Sequence, residues 1–179
     1  ADLDLGRHMY MRQDDGNIAY YVTNHDTVED GWESPTNPLA TVAMEFSPGP
    51  DGGDPFIKFY TYDLDGNRVL EINLDGRGDR YQPAMCMNCH GGTVPTSLDA
   101  NGEYPDGGNT NSMFAPFDLD TFEYSTRNAR YTRSAQEDEF KKFNQAVVVQ
   151  LDSLQGTMNS LQERIELIEG WYGGSGMPH

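Results

Sequence analysis

Cysteine is scarce in this chain of 179 residues, which contains only Cys86 and Cys89. With so few thiols, a zinc site built from four cysteines is excluded. Two residues separate the cysteines, and His90 follows the second one directly. This Cys-x-x-Cys-His pattern is typical of covalent c-type haem attachment, in which each thiol joins a porphyrin vinyl group and the imidazole ligates the iron proximally. The pattern predicts one covalently bound haem c.

Three other interpretations of the cysteines compete with haem attachment. A thioredoxin-like redox pair would lie between a strand and a helix of a βαβ unit. Here Gln82 and Pro83 precede the motif, and Gly91 and Gly92 follow it, which favours a loop. A structural zinc ion needs four ligands, and there is no second cysteine pair. A disulfide across two residues would be strained and would give His90 no role.

Basic residues are also few, because 12 Lys and Arg stand against 29 Asp and Glu, giving a net charge of −17. A field of this sign repels nucleic acid and anionic membrane surfaces, and it favours a basic partner. The alternative is an acidic surface that keeps the protein soluble without steering a partner. We expect no nucleic-acid partner, and a basic redox protein is the candidate partner.

No hydrophobic run approaches the ~20 residues that a membrane-spanning helix requires. The chain opens on Ala1, Asp2 and Leu3, without the basic start and apolar core of a signal peptide. Haem c is attached outside the cytoplasm, so we interpret the chain as the mature form of an exported protein whose leader has been removed. The expected location is the periplasm or the cell exterior.

Residues 1–81 predict a β-rich portion. Turn residues at 14–17 and 63–67 each separate two runs of aromatic and β-branched residues, which indicates two hairpins. The 63–67 segment also hints at a calcium loop, but its glycine comes too early for an EF-hand loop and no bidentate glutamate closes it. A simple turn is therefore favoured over calcium binding. Further strands are expected at residues 41–46, 56–62 and 68–74.

Residues 134–170 predict a helical portion. Ser134 and Glu137 have the spacing of a capping box, apolar residues then recur at three- and four-residue steps, and a second helix should stop at Gly170. Between the two portions, residues 82–133 contain the haem motif and a long Gly/Asn/Asp/Pro-rich loop. The predicted fold is α+β in one domain of residues 1–179, with a hairpin-rich first half, a c-type haem loop, C-terminal helices and haem packing like that of cytochrome c.

Several residues near the motif are predicted to contact the haem. The two arginines directly before it could hydrogen-bond a propionate, and pairing with neighbouring aspartates is the alternative. Aromatic residues after the motif could line a porphyrin face. The predicted cofactor contacts, besides the motif itself, are Arg77, Arg80, Tyr81, Phe114 and Phe117.

The chain also resembles a group of exported bacterial cytochrome c domain-containing proteins over most of its length. The resemblance implies haem c binding and electron transfer, and members of the group tend to extend further at the C-terminus. It rests on the haem motif with Gly91-Gly92, Asp75-Gly76-Arg77-Gly78, Gly6-Arg7-x-Met9, Thr41-Val42-Ala43-Met44-Glu45, Tyr104-Pro105 with Gly108-Asn109-Thr110, Pro116-Phe117-Asp118-Leu119-Asp120 and Phe143-Asn144-Gln145-Ala146-Val147.

The residue on the distal side of the iron decides the function, since methionine raises the potential, histidine lowers it, and an empty site permits ligand chemistry. The first candidates are His8 and Met9, with Met113 and His179 behind them. We predict a monohaem cytochrome that carries single electrons and is not an enzyme. Alternatives are a haem subunit of an extracellular polymer, joined through the termini, and a haem enzyme or sensor with an open distal site.

Overall fold

The computed structural model describes residues 5–32, 36–74, 76–93, 97, 99–102, 105–154 and 161–176. The chain forms two compact units, residues 1–113 and residues 114–179. Strands dominate the first unit and helices the second, which confirms the predicted α+β class. The boundary between the units falls inside the predicted 82–133 segment.

An antiparallel sheet of five strands forms the body of the first unit, with the strands side by side in chain order. The turn between the first two strands has positive φ at Asp15 and Gly16, as a two-residue type I′ hairpin requires. The predicted hairpin is therefore confirmed. The strands are β1 Gly6–Asp14, β2 Asn17–His25, β3 Pro38–Ser47, β4 Phe56–Tyr62 and β5 Arg68–Val69.

The single strand predicted at residues 68–74 is wrong. β5 pairs with β4 over two residues, and the chain then leaves that sheet. The next two-residue strand, β6 (Glu71–Ile72), pairs instead with β7 (Arg80–Tyr81). As a result, the residues of β4 before Thr61 have no partner in β5 within the described part of the chain.

One face of the five-stranded sheet carries the core of the first unit. Side chains directly opposite one another on neighbouring strands share a face, so the register defines which residues belong to it. One row across this face runs from Met11 through Tyr20 and Met44 to Phe59. Other members of the same face are buried, namely Ile18, Phe46, Ile57 and Thr61. We call this surface the core face.

The haem motif lies in a helix, so the predicted haem loop is wrong at this point. Helix α2 (Ala84–His90) has Pro83 at its N-cap and Gly91 at its C-cap. Gly91 takes a positive φ, and its amide closes the helix on the carbonyl of Met87. An earlier five-residue helix, α1 (Val28–Trp32), joins β2 to β3.

Two helices form most of the second unit, α3 (Arg133–Leu154) and α4 (Leu161–Trp171). They pack through an apolar stripe that the sequence predicted, and its buried members are Val147, Leu151, Leu161, Ile165 and Ile168. Helix α3 begins at Arg133, one residue before the predicted cap Ser134, and α4 continues one residue past Gly170. In the described part of the chain, no helix is both long and apolar enough to cross a membrane.

Candidate haem-attachment site

Helix α2 places the three side chains of the motif on one surface. Residues three and four positions apart lie on the same side of a helix, so Cys89 and His90 both lie beside Cys86. Cys86 and His90 are half-buried and Cys89 is exposed. A flat group attached to both sulfurs would therefore meet the imidazole on the same side of the helix.

Both cysteines are free thiols. The Cys86 thiol donates a hydrogen bond of 3.0 Å to the side-chain oxygen of Gln82. Burial raises the pKa of Cys86 to about 11, with a smaller opposing effect from the Gln82 bond. A nucleophilic redox thiol needs its pKa lowered, often at a helix N-terminus. The environment of Cys86 does the opposite, which argues against a thioredoxin-like pair.

The main chain of Met113 holds His90 through two hydrogen bonds. His90 Nδ1 donates to the Met113 carbonyl at 3.1 Å, and the Met113 amide donates to the His90 carbonyl at 3.1 Å. Because a carbonyl only accepts, the proton must sit on Nδ1, and a neutral ring then carries its lone pair on Nε2. Burial lowers the pKa of His90, which favours that neutral form. A metal-bound histidine is typically oriented in this way.

Residues 91–93, which follow α2, are hydrogen-bonded to residues 110–112, which directly precede Met113. The Thr93 amide donates to the Thr110 carbonyl, and the Ser112 hydroxyl donates to the Gly91 carbonyl at 2.7 Å. Gly92 lies in the first of these segments and faces the second, where a Cβ would come within 2.4 Å of the Thr110 carbonyl oxygen. The close approach needs glycine at this position, and it keeps the Met113 carbonyl aimed at His90.

The ring of Phe59 on β4 lies beside His90, with centroids 6.1 Å apart and planes tilted by 51°. Phe59 belongs to the core face of the sheet and is only half-buried. An apolar surface thus adjoins the imidazole. No local sequence pattern indicates this contact, because 31 positions separate the two residues.

An open cleft of about 550 Å³ follows the edge of β4 that β5 leaves unpaired. This volume is in the usual range for small-molecule sites. Gln82, the partner of the Cys86 thiol, is one of its lining residues, so the cleft reaches the start of α2. Its other walls include the apolar Phe56, Phe59, Leu70 and Pro83 and the basic Lys58 and Arg68.

The two basic residues of the cleft differ in how they are engaged. The Lys58 ammonium donates to the Ser47 carbonyl, the Ser47 hydroxyl and the Pro48 carbonyl. The Arg68 guanidinium lies 5.0 Å from the centre of the Tyr60 ring. Arg68 is thus a basic group at a candidate ligand surface that the sequence analysis missed, because nothing in the turn before it signals proximity to Cys86.

The predicted contacts before the motif are all on the surface. Arg77 and Arg80 are exposed, and so is Tyr81. A hydrogen bond from Tyr81 to Glu71, on the paired strand, raises the pKa of the phenol. The role of the two arginines at a propionate stays a prediction.

The predicted aromatic contacts belong to the second unit. Phe114 is buried, and its amide donates to the Gln150 side chain. Phe117 packs against Phe140 and Phe143, and its main chain is bonded to Asn144. Both residues thus have packing roles within their own unit.

The predicted distal ligands are distributed over different surfaces. His8 pairs across the sheet with Thr23, which places it on the face opposite the core face, and its Nε2 donates to the Gly31 carbonyl. Its ring contacts that of His25 edge to face, with centroids 5.4 Å apart. Met9 lies on the core face but in β1, three strands from β4. His179 lies outside the described residues.

Other metal chemistry finds little support in the described part of the chain. No group of three or more His, Cys, Asp or Glu side chains is placed to hold a metal ion there. At the suspected calcium loop, one carboxylate oxygen of Asp63 accepts the amides of Asp65 and Asn67. These bonds make the segment a self-contained turn.

Comparisons with protein-family models, with curated proteins and with solved structures found no match to this chain. The interpretation of the site therefore depends on its own residues.

Proposed function

We propose that the chain is a monohaem c-type cytochrome that carries single electrons. The observation that carries the proposal is the surface of α2, where two free thiols and an imidazole with its Nδ1 bonded to the Met113 carbonyl lie together. This donor set fits haem c and lacks the ligands for a four-coordinate zinc site.

In this proposal each residue of the motif has a distinct role. Cys86 and Cys89 would hold the porphyrin through thioether bonds, and His90 would bind the iron through Nε2. The hydrogen bond from Nδ1 would fix the ring orientation and make Nε2 a better donor. The bound haem would supply the one-electron Fe(II)/Fe(III) couple.

The rest of the site would shield and anchor the cofactor, in a packing like that of cytochrome c. Phe59 would supply apolar surface beside His90, and a dry pocket is one of the means by which a protein sets the reduction potential. Arg68 joins Arg77 and Arg80 as a candidate partner for the propionates, because guanidinium groups pair well with carboxylates.

The proposal also includes a location outside the cytoplasm and a partner suited to an acidic surface. The protein would act in the periplasm or outside the cell, where haem c is attached, as in the group of cytochrome c domain-containing proteins that the sequence resembles. Its charge of −17 would favour a basic redox partner. Association with further copies through the termini would make it a subunit of a conducting polymer, and this assembly state would leave the haem chemistry unchanged.

Haem attachment can be tested by producing the chain with an export leader in a host that matures c-type cytochromes. The intact mass should exceed that of the polypeptide by one haem, and the haem should resist extraction by acidified acetone. Cys86→Ser and Cys89→Ser should each leave one thioether, and the double variant should release the haem on extraction. Met87→Leu, between the cysteines, is the matched control and should behave as the wild type.

A wild-type chain that folds and leaves the host without covalent haem would contradict the proposal. So would a double variant that keeps its haem through extraction. Zinc bound in stoichiometric amount by Cys86 and Cys89, measured on the purified protein, would move the assignment to a metal site of a different kind.

A further inference from the structure

The iron of a six-coordinate cytochrome needs a second protein ligand opposite His90, usually methionine or histidine. The described residues of these two types other than His90 are His8, Met9, Met11, His25, Met44, Met85, Met87 and Met113. The register of the sheet and the contacts of His90 separate these candidates.

Both other described histidines, His8 and His25, are hydrogen-bonded to main-chain carbonyls away from His90. His8 and His25 contact each other, and each donates one ring nitrogen to a main-chain carbonyl, His8 to Gly31 and His25 to Thr36. His8 lies on the face of the sheet opposite Phe59. A ligand on that face would have to pass through the sheet to reach an iron bound by His90.

Three methionines lie on the wrong side of His90. Met85 and Met87 belong to α2, the helix that holds the proximal ligand itself. The main chain of Met113 is bonded to Nδ1, whereas the iron would be bound at Nε2 across the ring. For Met113 to be the sixth ligand, its side chain would have to travel around the edge of the haem.

Met9, Met11 and Met44 remain, all on the core face. Bonds of about 2.0 Å to nitrogen and about 2.3 Å to sulfur are usual for a transition metal, so the thioether must come close to Nε2. β1 lies three strand spacings from β4, which is roughly 14 Å at ~4.8 Å for each spacing. The buried ring of Tyr20 also stands between Met11 and Met44 in the row.

Met44 is the methionine beside Phe59, the residue whose ring contacts His90. It pairs directly with Phe59, whose ring lies beside His90. Side chains opposite each other in such a pair have Cβ atoms about 5 Å apart, a distance that a flexible methionine side chain can span. Met44 and Phe59 are also only half-buried, although Tyr20, Phe46 and Ile57 around them are buried.

We propose that Met44 is the sixth ligand of the haem iron. This inference rests on the proposed function, and it replaces His8 and Met9 as the first candidates. The half-buried surface formed by Met44 and Phe59 is then the place where the sheet meets the distal side of the porphyrin.

The test compares Met44→Leu with Met11→Leu and Met9→Leu, all made in the exported holoprotein. Leucine is close to methionine in volume, so each variant should fold like the wild type. Haem content, measured in alkaline pyridine, reports on the proposed function and should be equal in all four proteins. Wild type without haem would refute the proposed function itself, independently of the ligand assignment.

Three signals of methionine ligation should disappear completely in Met44→Leu and persist in both controls. These are the far-red absorption band of the ferric protein, resistance of the ferrous protein to carbon monoxide, and one methionine methyl resonance shifted upfield by the porphyrin ring current. The methyl resonance is read on the wild type labelled at methionine methyl groups, so the test does not depend on a single variant. Loss of these signals in a control, their persistence in Met44→Leu, or their absence from a haem-loaded wild type would overturn the proposal.

Discussion

Replacing Gly92 with alanine should weaken the contact that orients His90. Gly92 has φ of +104°, and a Cβ there would meet the Thr110 carbonyl oxygen at 2.4 Å and the Ser112 hydroxyl at 2.5 Å. Gly91 also has a positive φ of +67°, but a Cβ there meets nothing within 4 Å. Gly91→Ala is therefore a matched control, which carries the backbone strain without the collision.

Backbone strain of this kind costs about 1–3 kcal/mol in either variant. The collision at Gly92 should add about 1–3 kcal/mol, the usual cost of overpacking. With a urea slope of about 2 kcal/mol per molar, an extra 2 kcal/mol lowers the unfolding midpoint by about 1 M relative to Gly91→Ala. Urea unfolding followed by circular dichroism measures this difference.

The same two variants can also be compared by hydrogen exchange at the Met113 amide. The Met113 amide donates to the His90 carbonyl, so its hydrogen exchange should accelerate more in Gly92→Ala than in Gly91→Ala. Equal midpoints together with equal protection of the Met113 amide would refute the idea that the 110–113 segment is held against α2 through Gly92.

Two further predictions concern stability and calcium. Asn144 is buried and bonds both main-chain groups of Phe117 and the Tyr172 hydroxyl, so Asn144→Ala should reduce the free energy of unfolding by roughly 2–4 kcal/mol. The exposed Gln145→Ala should change it by less than about 0.5 kcal/mol, and equal losses would contradict the role of the Asn144 bonds. Millimolar calcium should leave the melting temperature unchanged, because the Asp63 carboxylate already accepts the amides of its own turn. A saturable rise in melting temperature would show a calcium site there.

The sequence predicted the first hairpin and strand β4 well because their signals are local. The turn at Asp15 and Gly16 needs two residues with positive φ, and Asp and Gly tolerate that conformation better than most residues. The β4 strand likewise has the predicted bounds, since aromatic and β-branched residues alternate up to a turn that Asp63 closes on itself.

Helix α2 was missed because Pro83 and Gly91 were interpreted as loop residues. Proline at the start and glycine just past the end are also the boundary signals of a helix. With seven residues between them, the helix is too short to show a repeating apolar pattern. The strand at residues 68–74 failed for a different reason, because alternation shows that a residue can pair but not which partner it takes.

The site could be predicted only in part for the same physical reason. Cys86, Cys89 and His90 are neighbours in sequence, so their chemistry is visible in the motif. Met113 and Phe59 reach His90 through the path of the chain, and no local pattern encodes their distance from it. The face on which a side chain lies depends on the strand register, so the sequence predicts His8 and Met9 as equal candidates although the two lie on opposite faces of the sheet.

The measurement that most directly tests the account is the visible spectrum of the reduced, haem-loaded protein with and without carbon monoxide. An electron carrier with two protein ligands on its iron should show a spectrum that carbon monoxide leaves unchanged. A rapid shift on adding the gas would reveal an open or labile sixth position, which would contradict the carrier and favour a haem enzyme or sensor.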